Sequence, residues 1–289
     1  MVNCYTPSTL KEALQIRKDY SPIILAGGSD LMVSAFRGIG ITPEFSKDVM
    51  IIRGLSELTG IKKNEDGELE IGACTVSREI ASSELVPWVL RQAAGKMGAI
   101  GLRNSATIGG NVANASPKGD TPGPLYLLDA RVRVRSTYGM REVPIEEFVL
   151  ALKKVDLRDD EIITHIVIPY SDDDFDNFFY HKIGRRRANA ISKLTFASAI
   201  KFDDEDKVAD FRLATTACGV KTNRSREVEE ILIGKKRSEI LDFSDTVASS
   251  FDTLLTPRAM PEYRKNATAN MIKDFIHTVS DKNAPKYNE

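Results

Sequence analysis

The chain has 289 residues with 41 acidic and 40 basic side chains, a balance that leaves no broad field for nucleic acid or an anionic membrane. No apolar run approaches the roughly 18 residues of a membrane span, and Met1-Val2-Asn3-Cys4 has neither region of a signal peptide. The expectation is a cytoplasmic globular protein of two or three modest domains.

In chain order, Thr9 and Glu12 form a capping box for a first helix with the stripe Leu10, Ala13 and Leu14, and Ser21-Pro22 stops it. Residues 22–26 read as a short buried strand that gives way to Gly27-Gly28. Ser29 or Asp30 then caps a helix carrying Leu31, Met32 and Ala35. Residues 48–53 and 68–74 read as strands, and helices are expected near 76–82 and 88–97, with Gly95, Gly98 and Gly101 ending the second. A second glycine pair follows in Thr107-Ile108-Gly109-Gly110-Asn111. The stretch after it leads into Pro122 and a helical run over Leu125 to Leu128, for which Asp120 or Thr121 is placed as a cap. Arg131, Arg133 and Arg135 alternate with Val132 and Val134, which predicts a strand with the arginines on a solvated face. A strand over 161–168 ends at Pro169.

The acidic run Ser171 to Asp176 marks a domain boundary. Strands near 177–183, 193–202 and 207–219, the last two joined by the charged turn Asp203 to Asp206, predict an antiparallel meander. Helices over 227–233, 238–254 and 260–279 close the chain, with Ala267, Met271, Phe275 and Val279 in one stripe.

Candidate chemistry concentrates in the two glycine loops. A single Gly-Gly after a strand is commonly a turn, but two of them, each where an apolar run meets small polar residues, look like a phosphate cradle. Neither loop has Lys or Arg, so main-chain N–H groups, Ser29, Thr107 and Asn111 are the expected donors. Neither follows G-x-G-x-x-G or G-x-x-x-x-G-K-[ST]. Cys4, Cys74 and Cys218 are isolated, and His165, His181 and His277 lack ligand spacing, so no metal site is expected. A chain this poor in reactive groups borrows its chemistry from a cofactor.

These residues resemble the FAD-binding subunits, or middle domains, of molybdenum hydroxylases such as xanthine dehydrogenase and carbon monoxide dehydrogenase. The likeness runs through Tyr5-Thr6-Pro7, Leu25 to Leu31, Ile71-Gly72-Ala73, Ile100 to Asn104 with Thr107 to Asn111, and Leu128-Asp129-Ala130. Weaker echoes follow at Lys182 with Arg185 and Ala190, and at Tyr263-Arg264. The resemblance implies an α+β fold with a two-part FAD-binding domain of the vanillyl-alcohol-oxidase (PCMH) type over residues 1–172, with subdomains of about 1–55 and 56–172. A smaller domain of the CO dehydrogenase flavoprotein type follows over 177–282, with a three-stranded antiparallel sheet and a helical cluster.

Carried onto matching positions, it implies that Leu25, Ala26, Gly27, Gly28, Ser29, Asp30, Leu31 and Met32 wrap the FAD pyrophosphate. Thr107, Ile108, Gly109, Gly110 and Asn111 form the second wall, Gly98 lies near the flavin, and Ile163 packs on the cofactor. Asp120 matches a cofactor-contacting acid and Lys182 a flavin-side lysine. A loop from Gly184 to Asn189 beside the flavin carries Arg185, Arg186 and Arg187, either to attract an anionic acceptor or partner or as a solvated basic turn. As partners the resemblance implies an iron–sulfur subunit with 2Fe-2S clusters and a molybdopterin subunit, with electrons passing through FAD to NAD or another acceptor. Two other readings stay open: a stand-alone flavin oxidoreductase of the vanillyl-alcohol-oxidase type, and a phosphate-ligand-binding scaffold.

Overall fold

The computed structural model describes residues 2–283. Strand β1 (Cys4–Tyr5) leads to helix α1 (Leu10–Tyr20). Thr9 accepts the Glu12 N–H at 3.2 Å, but the Glu12 carboxylate reaches beyond Thr9 to the Ser8 N–H at 2.7 Å. Leu10, Ala13 and Leu14 are buried as expected, and Ser21 ends the helix with φ 45° ahead of Pro22. Strand β2 (Ile23–Leu25), helix α2 (Leu31–Ala35) and strand β3 (Val49–Ile51) follow, and the three strands make a parallel sheet in the order β1-β3-β2. The first glycine loop therefore leaves the open edge of that sheet and enters a helix.

Strands β4 (Ile61–Lys63) and β5 (Leu69–Gly72) precede five short helices, α3 (Ser77–Ser82), α4 (Trp88–Gly95), α5 (Ile100–Arg103), α6 (Ile108–Ala113) and α7 (Pro122–Leu127). Gly95 closes α4 as expected, whereas Gly101 sits inside α5. Strands β6 (Arg131–Ser136) and β7 (Gly139–Pro144), helix α8 (Ile145–Phe148), the hairpin β8 (Val149–Ala151) and β9 (Lys154–Val155), and strand β10 (Ile162–Ile168) complete this half. The second sheet runs β4-β5-β10-β6-β7 and is antiparallel. Its inner face buries Leu69, Ile71, Val132, Val134, Ile166 and Ile168 against α3, α4, α6 and α7.

The outer face corrects the solvated-arginine expectation at Arg131 and Arg133, while Arg135 is exposed as expected. Arg133 bridges Glu70 at 2.6 Å and Glu142 at 2.7 Å, and Arg131 bridges the same Glu142 at 2.7 Å and Glu68 at 2.8 Å. Alternation had revealed one buried face; the glutamates that half-bury the other come from β5, the residue just before it and β7, out of reach of any local pattern.

Strands β11 (Asn177–Ile183), β12 (Leu194–Phe202) and β13 (Val208–Thr216) form an antiparallel meander. One face joins the first core through Tyr180, Ala197, Ala199 and Ala214, and the other packs on the terminal helices. Those helices are α9 (Arg226–Glu229), α10 (Ser244–Asp252) and α11 (Pro261–Ser280). The first two are shorter than the periodicity predicts. Glu229 turns inward to accept the Leu213 N–H at 2.9 Å, and a 3-10 turn over Ile240–Phe243 seats Ile240 in the core before α10 begins.

The acidic run also has a structural task. Ser171 and Asp174 close a capping box, and the Asp172 carboxylate accepts the Trp88 N–H at 2.7 Å while lying 3.2 Å from Arg91. It thereby caps α4 from a distant part of the chain.

Candidate functional site

A cavity of about 640 Å³ opens between β2, the first glycine loop, α6, β10 and the β8–β9 hairpin. Ile23, Ile24, Ile52, Leu157, Ile162 and Ile163 give it apolar walls, and the polar lining comes from both glycine loops. Its size and this mixture suit an organic cofactor.

The first loop is built for close approach. A Cβ on Gly27 would lie 2.0 Å from the Ser105 carbonyl oxygen, so only glycine lets this backbone rest on the 105–106 segment. Gly28 turns the chain at φ +71°. Among the described hydrogen bonds, none uses the N–H of Ala26, Gly27, Gly28, Ser29, Asp30 or Leu31 as donor; the first N–H engaged again is that of Met32, to the Gly28 carbonyl at 3.0 Å. Six successive main-chain donors at a cavity wall form an anion-binding arrangement.

The second loop differs from expectation. Four of its five N–H groups are already engaged, that of Thr107 alone having no acceptor among the described hydrogen bonds: Ile108 with the Thr75 carbonyl at 3.1 Å, Gly109 with Ala73 at 2.9 Å, Gly110 with the Thr107 hydroxyl at 3.2 Å and Asn111 with the Thr107 carbonyl at 2.9 Å. A Cβ on Gly109 would stand 2.6 Å from that of Ala73, so this glycine serves the packing of α6 on the chain after β5. The loop gives the cavity a wall and side-chain donors rather than a second set of amides. Asn111 accepts from the Thr121 hydroxyl at 2.7 Å through its carbonyl, which leaves its NH2 group for a ligand.

Leu25, Ala26, Gly27, Gly28, Ser29, Asp30, Leu31, Thr107, Gly109, Gly110, Asn111 and Ile163 all line the cavity. Met32 and Ile108 do not. Met32 is 38% exposed on α2, and Ile108 is 1% exposed in the core, where the helical turn directs it away from the lining. Gly98, Asp120 and Lys182 lie outside that lining, the last two as a bonded pair.

Asp120 is not a helix cap: Thr121 takes the cap position of α7 without a side-chain bond. The Asp120 carboxylate accepts instead from Lys182 Nζ at 2.6 Å and Ser192 Oγ at 2.6 Å, and Lys182 also donates to the Lys96 carbonyl at 3.0 Å. Burial raises the carboxyl above its ordinary range, and the Lys182 charge with the Ser192 bond partly offsets that rise. The adjoining Tyr180 hydroxyl is buried with no hydrogen-bond partner among the described residues, and the Lys96 ammonium lies 5.3 Å from the Tyr180 ring. Gly98, at φ +46°, follows Lys96 on the same turn. The Asn111–Thr121 bond joins this group to the cavity.

Among the cavity residues that escaped the sequence reading are two joined by hydrogen bonds to the first loop, Asn114 and Lys153. The Lys153 ammonium donates to Asn114 Oδ1, and Asn114 Nδ2 donates to Asp30. Nothing in the Lys153-Lys154 pair of a hairpin signals this, because the contact crosses from the β8–β9 turn to the end of α6. In the basic loop, Arg186 donates to the Asn189 carbonyl at 2.8 Å, and Arg185, Arg186 and Arg187 are all exposed. Burial pushes the Cys74 thiol up to about 12, which makes it a packing residue.

An apolar slot edged by unpaired main-chain donors, on a mixed helix and sheet scaffold, defines a protein that holds a nucleotide cofactor. The model of the FAD binding domain in molybdopterin dehydrogenase matches residues 1–171, and that of the CO dehydrogenase flavoprotein C-terminal domain matches residues 179–279. The chain belongs to the FAD-binding subunits of the molybdenum hydroxylase family; it is an oxidoreductase subunit and FAD is its cofactor. It is 29% identical to the nicotinate dehydrogenase FAD-subunit of Eubacterium barkeri, over 96% of this chain and 95% of that one. It is 30% identical to the glyceraldehyde dehydrogenase medium chain of Sulfolobus acidocaldarius, over 83% and 84%. In fold it is similar to a chain of the reconstituted CO dehydrogenase from Oligotropha carboxidovorans, with TM-score 0.85 and 19% identity over 97% of this chain and 98% of that one.

The residues present fit FAD. Six N–H groups with no acceptor among the described hydrogen bonds suit a diphosphate, and the apolar walls accept a flat base.

Proposed function

We propose that this chain receives electrons on FAD from the iron–sulfur clusters of a partner subunit and passes them to NAD or another acceptor. The organic substrate is oxidised on a separate molybdenum subunit, and the complex is cytoplasmic. The observation that carries the reading is the run of unpaired donors from Ala26 to Leu31 on a cavity of cofactor size.

In this reading the fold is of the vanillyl-alcohol-oxidase (PCMH) type over residues 1–172, followed by a second domain over 177–282. Ala26 to Leu31 hold the diphosphate through main-chain N–H groups and the Ser29 hydroxyl, with Leu25 and Met32 fixing the two ends of the loop. Thr107, Gly110 and Asn111 close the opposite side, while Ile108 and Gly109 anchor that wall. Ile163 and Leu157 pack on the base. Gly98, Asp120 and Lys182 meet the flavin end, where the Lys182 charge, set by Asp120, favours added negative charge. When bound, FAD supplies a carrier that takes electrons singly and returns them in pairs.

The test is purification of the chain from its native source. One FAD per chain, with co-purifying iron–sulfur and molybdenum subunits and flavin bleaching by organic substrate only in their presence, supports the proposal. Bleaching of the isolated chain by a small substrate of its own would instead establish a self-contained flavoprotein.

A further inference from the structure

Of the residues lining the cavity, two carry charge: Asp30, in the donor loop, and Lys153, at the turn between β8 and β9. We infer that Lys153 is the cation that binds the cofactor's diphosphate, so that the site has a point charge in addition to its main-chain donors. The inference rests on the reading that Ala26 to Leu31 hold that diphosphate.

The turn is fixed where such a role needs it. The Lys153 N–H donates to the Ala115 carbonyl at 3.2 Å, which ties the hairpin to the residues just after α6. Its backbone lies at φ +58°, where Gly or Asn would be accommodated with less strain than lysine, so the position is not explained as an ordinary turn residue. The side chain then reaches Asn114 and, through it, Asp30 within the donor loop. Its described hydrogen-bond acceptor is a neutral amide. The Lys182 ammonium, by contrast, is matched by the Asp120 carboxylate. An ammonium has three donors, and Asn114 uses one of them. Two remain for phosphate oxygens.

The Asp30 carboxylate explains why a cation is required. It stands in the loop whose N–H groups would receive the diphosphate, and like charges at this range repel. The Lys153–Asn114–Asp30 chain places a compensating charge on the same side of the cavity. A mouth arranged in this way selects nucleotides bearing a diphosphate.

The experiment compares FAD-stripped wild type with K153Q, K153R and K154Q, with folding of each confirmed by circular dichroism. Dissociation constants for FAD and for ADP are measured by fluorescence and calorimetry at low and high salt. Lys154 is a neighbouring exposed lysine that does not line the cavity. The expected result is that K153Q binds both ligands about five- to tenfold more weakly at low salt, that the loss shrinks as salt rises, and that K153R and K154Q stay within about twofold of wild type. Unchanged binding by K153Q, or an equal loss in K154Q, overturns the inference while leaving the donor loop standing. Failure of the wild type itself to bind FAD and ADP overturns the reading on which it rests.

Discussion

Lys182→Met removes one charge from the Asp120 pair while keeping most of the side-chain volume, and its effect can be worked from the structure. Side-chain exposures are 8% for Lys182 and 10% for Asp120, so water screens the pair little. Breaking a buried pair from one side costs about 3–5 kcal/mol. Asp120 keeps the Ser192 hydroxyl at 2.6 Å and can take up a proton, which places the expected loss near the lower end, about 3 kcal/mol at pH 7.5. The sign with pH follows from the direction of the shift. Burial already raises the Asp120 carboxyl, and loss of Lys182 raises it further. An acid whose folded pKa is raised binds its proton more tightly in the folded state, so its penalty is absent below the unfolded value of about 4 and grows as pH rises through the folded one. Urea denaturation of FAD-free protein at pH 5 and pH 7.5 reads this directly. The variant should lose much less at pH 5, and D120N in the same background should restore most of the stability at pH 7.5. An equal loss at both pH values, or none at pH 7.5, refutes the argument.

The glycine loops give a paired expectation. Gly27→Ala forces a Cβ to within 2.0 Å of a backbone oxygen and should cost about 3 kcal/mol or more in urea denaturation. Gly110→Val brings a Cβ to 2.9 Å from the Thr107 hydroxyl and displaces the cap bond that this hydroxyl makes to the Gly110 N–H, so it should cost about 1–2 kcal/mol of stability while weakening FAD binding at least about tenfold, as measured by fluorescence titration. On the outer sheet face, burial pushes the Glu70 carboxyl up, and Arg133, with smaller help from His165 and Lys62, more than reverses this, leaving it below its ordinary value. A depressed acid contributes stability above its unfolded pKa and loses it as pH falls through the folded one. Arg133→Met should therefore cost about 1–2 kcal/mol near pH 7 and little below about pH 4, by urea denaturation across that range.

Much of the architecture was legible because its causes are local. Thr9 and Glu12 mark the start of α1, the glycine pairs mark two strand-to-helix or loop-to-helix transitions, and three β-rich runs mark the meander. What escaped depends on partners far along the chain. By local pattern alone Asp120 read as one of two possible caps, and only the family resemblance marked it as a cofactor-contacting acid, because Lys182 and Ser192 lie 62 and 72 residues away. Arg131 and Arg133 read as solvated because Glu68, Glu70 and Glu142 meet them only after the sheet has formed. The two glycine loops looked equivalent in sequence, yet the run of N–H groups without a described acceptor is confined to the first, since docking of α6 on Ala73 and Thr75 takes up two amides of the second and Thr107 takes up two more.

The most direct test follows the backbone amides themselves. In a 15N-labelled FAD-stripped chain titrated with ADP and then FAD, the N–H resonances of Ala26 to Leu31 should move far more than those of Ile108 to Asn111 with either ligand. Saturation by FAD with the Ala26 to Leu31 amides unmoved would contradict the account.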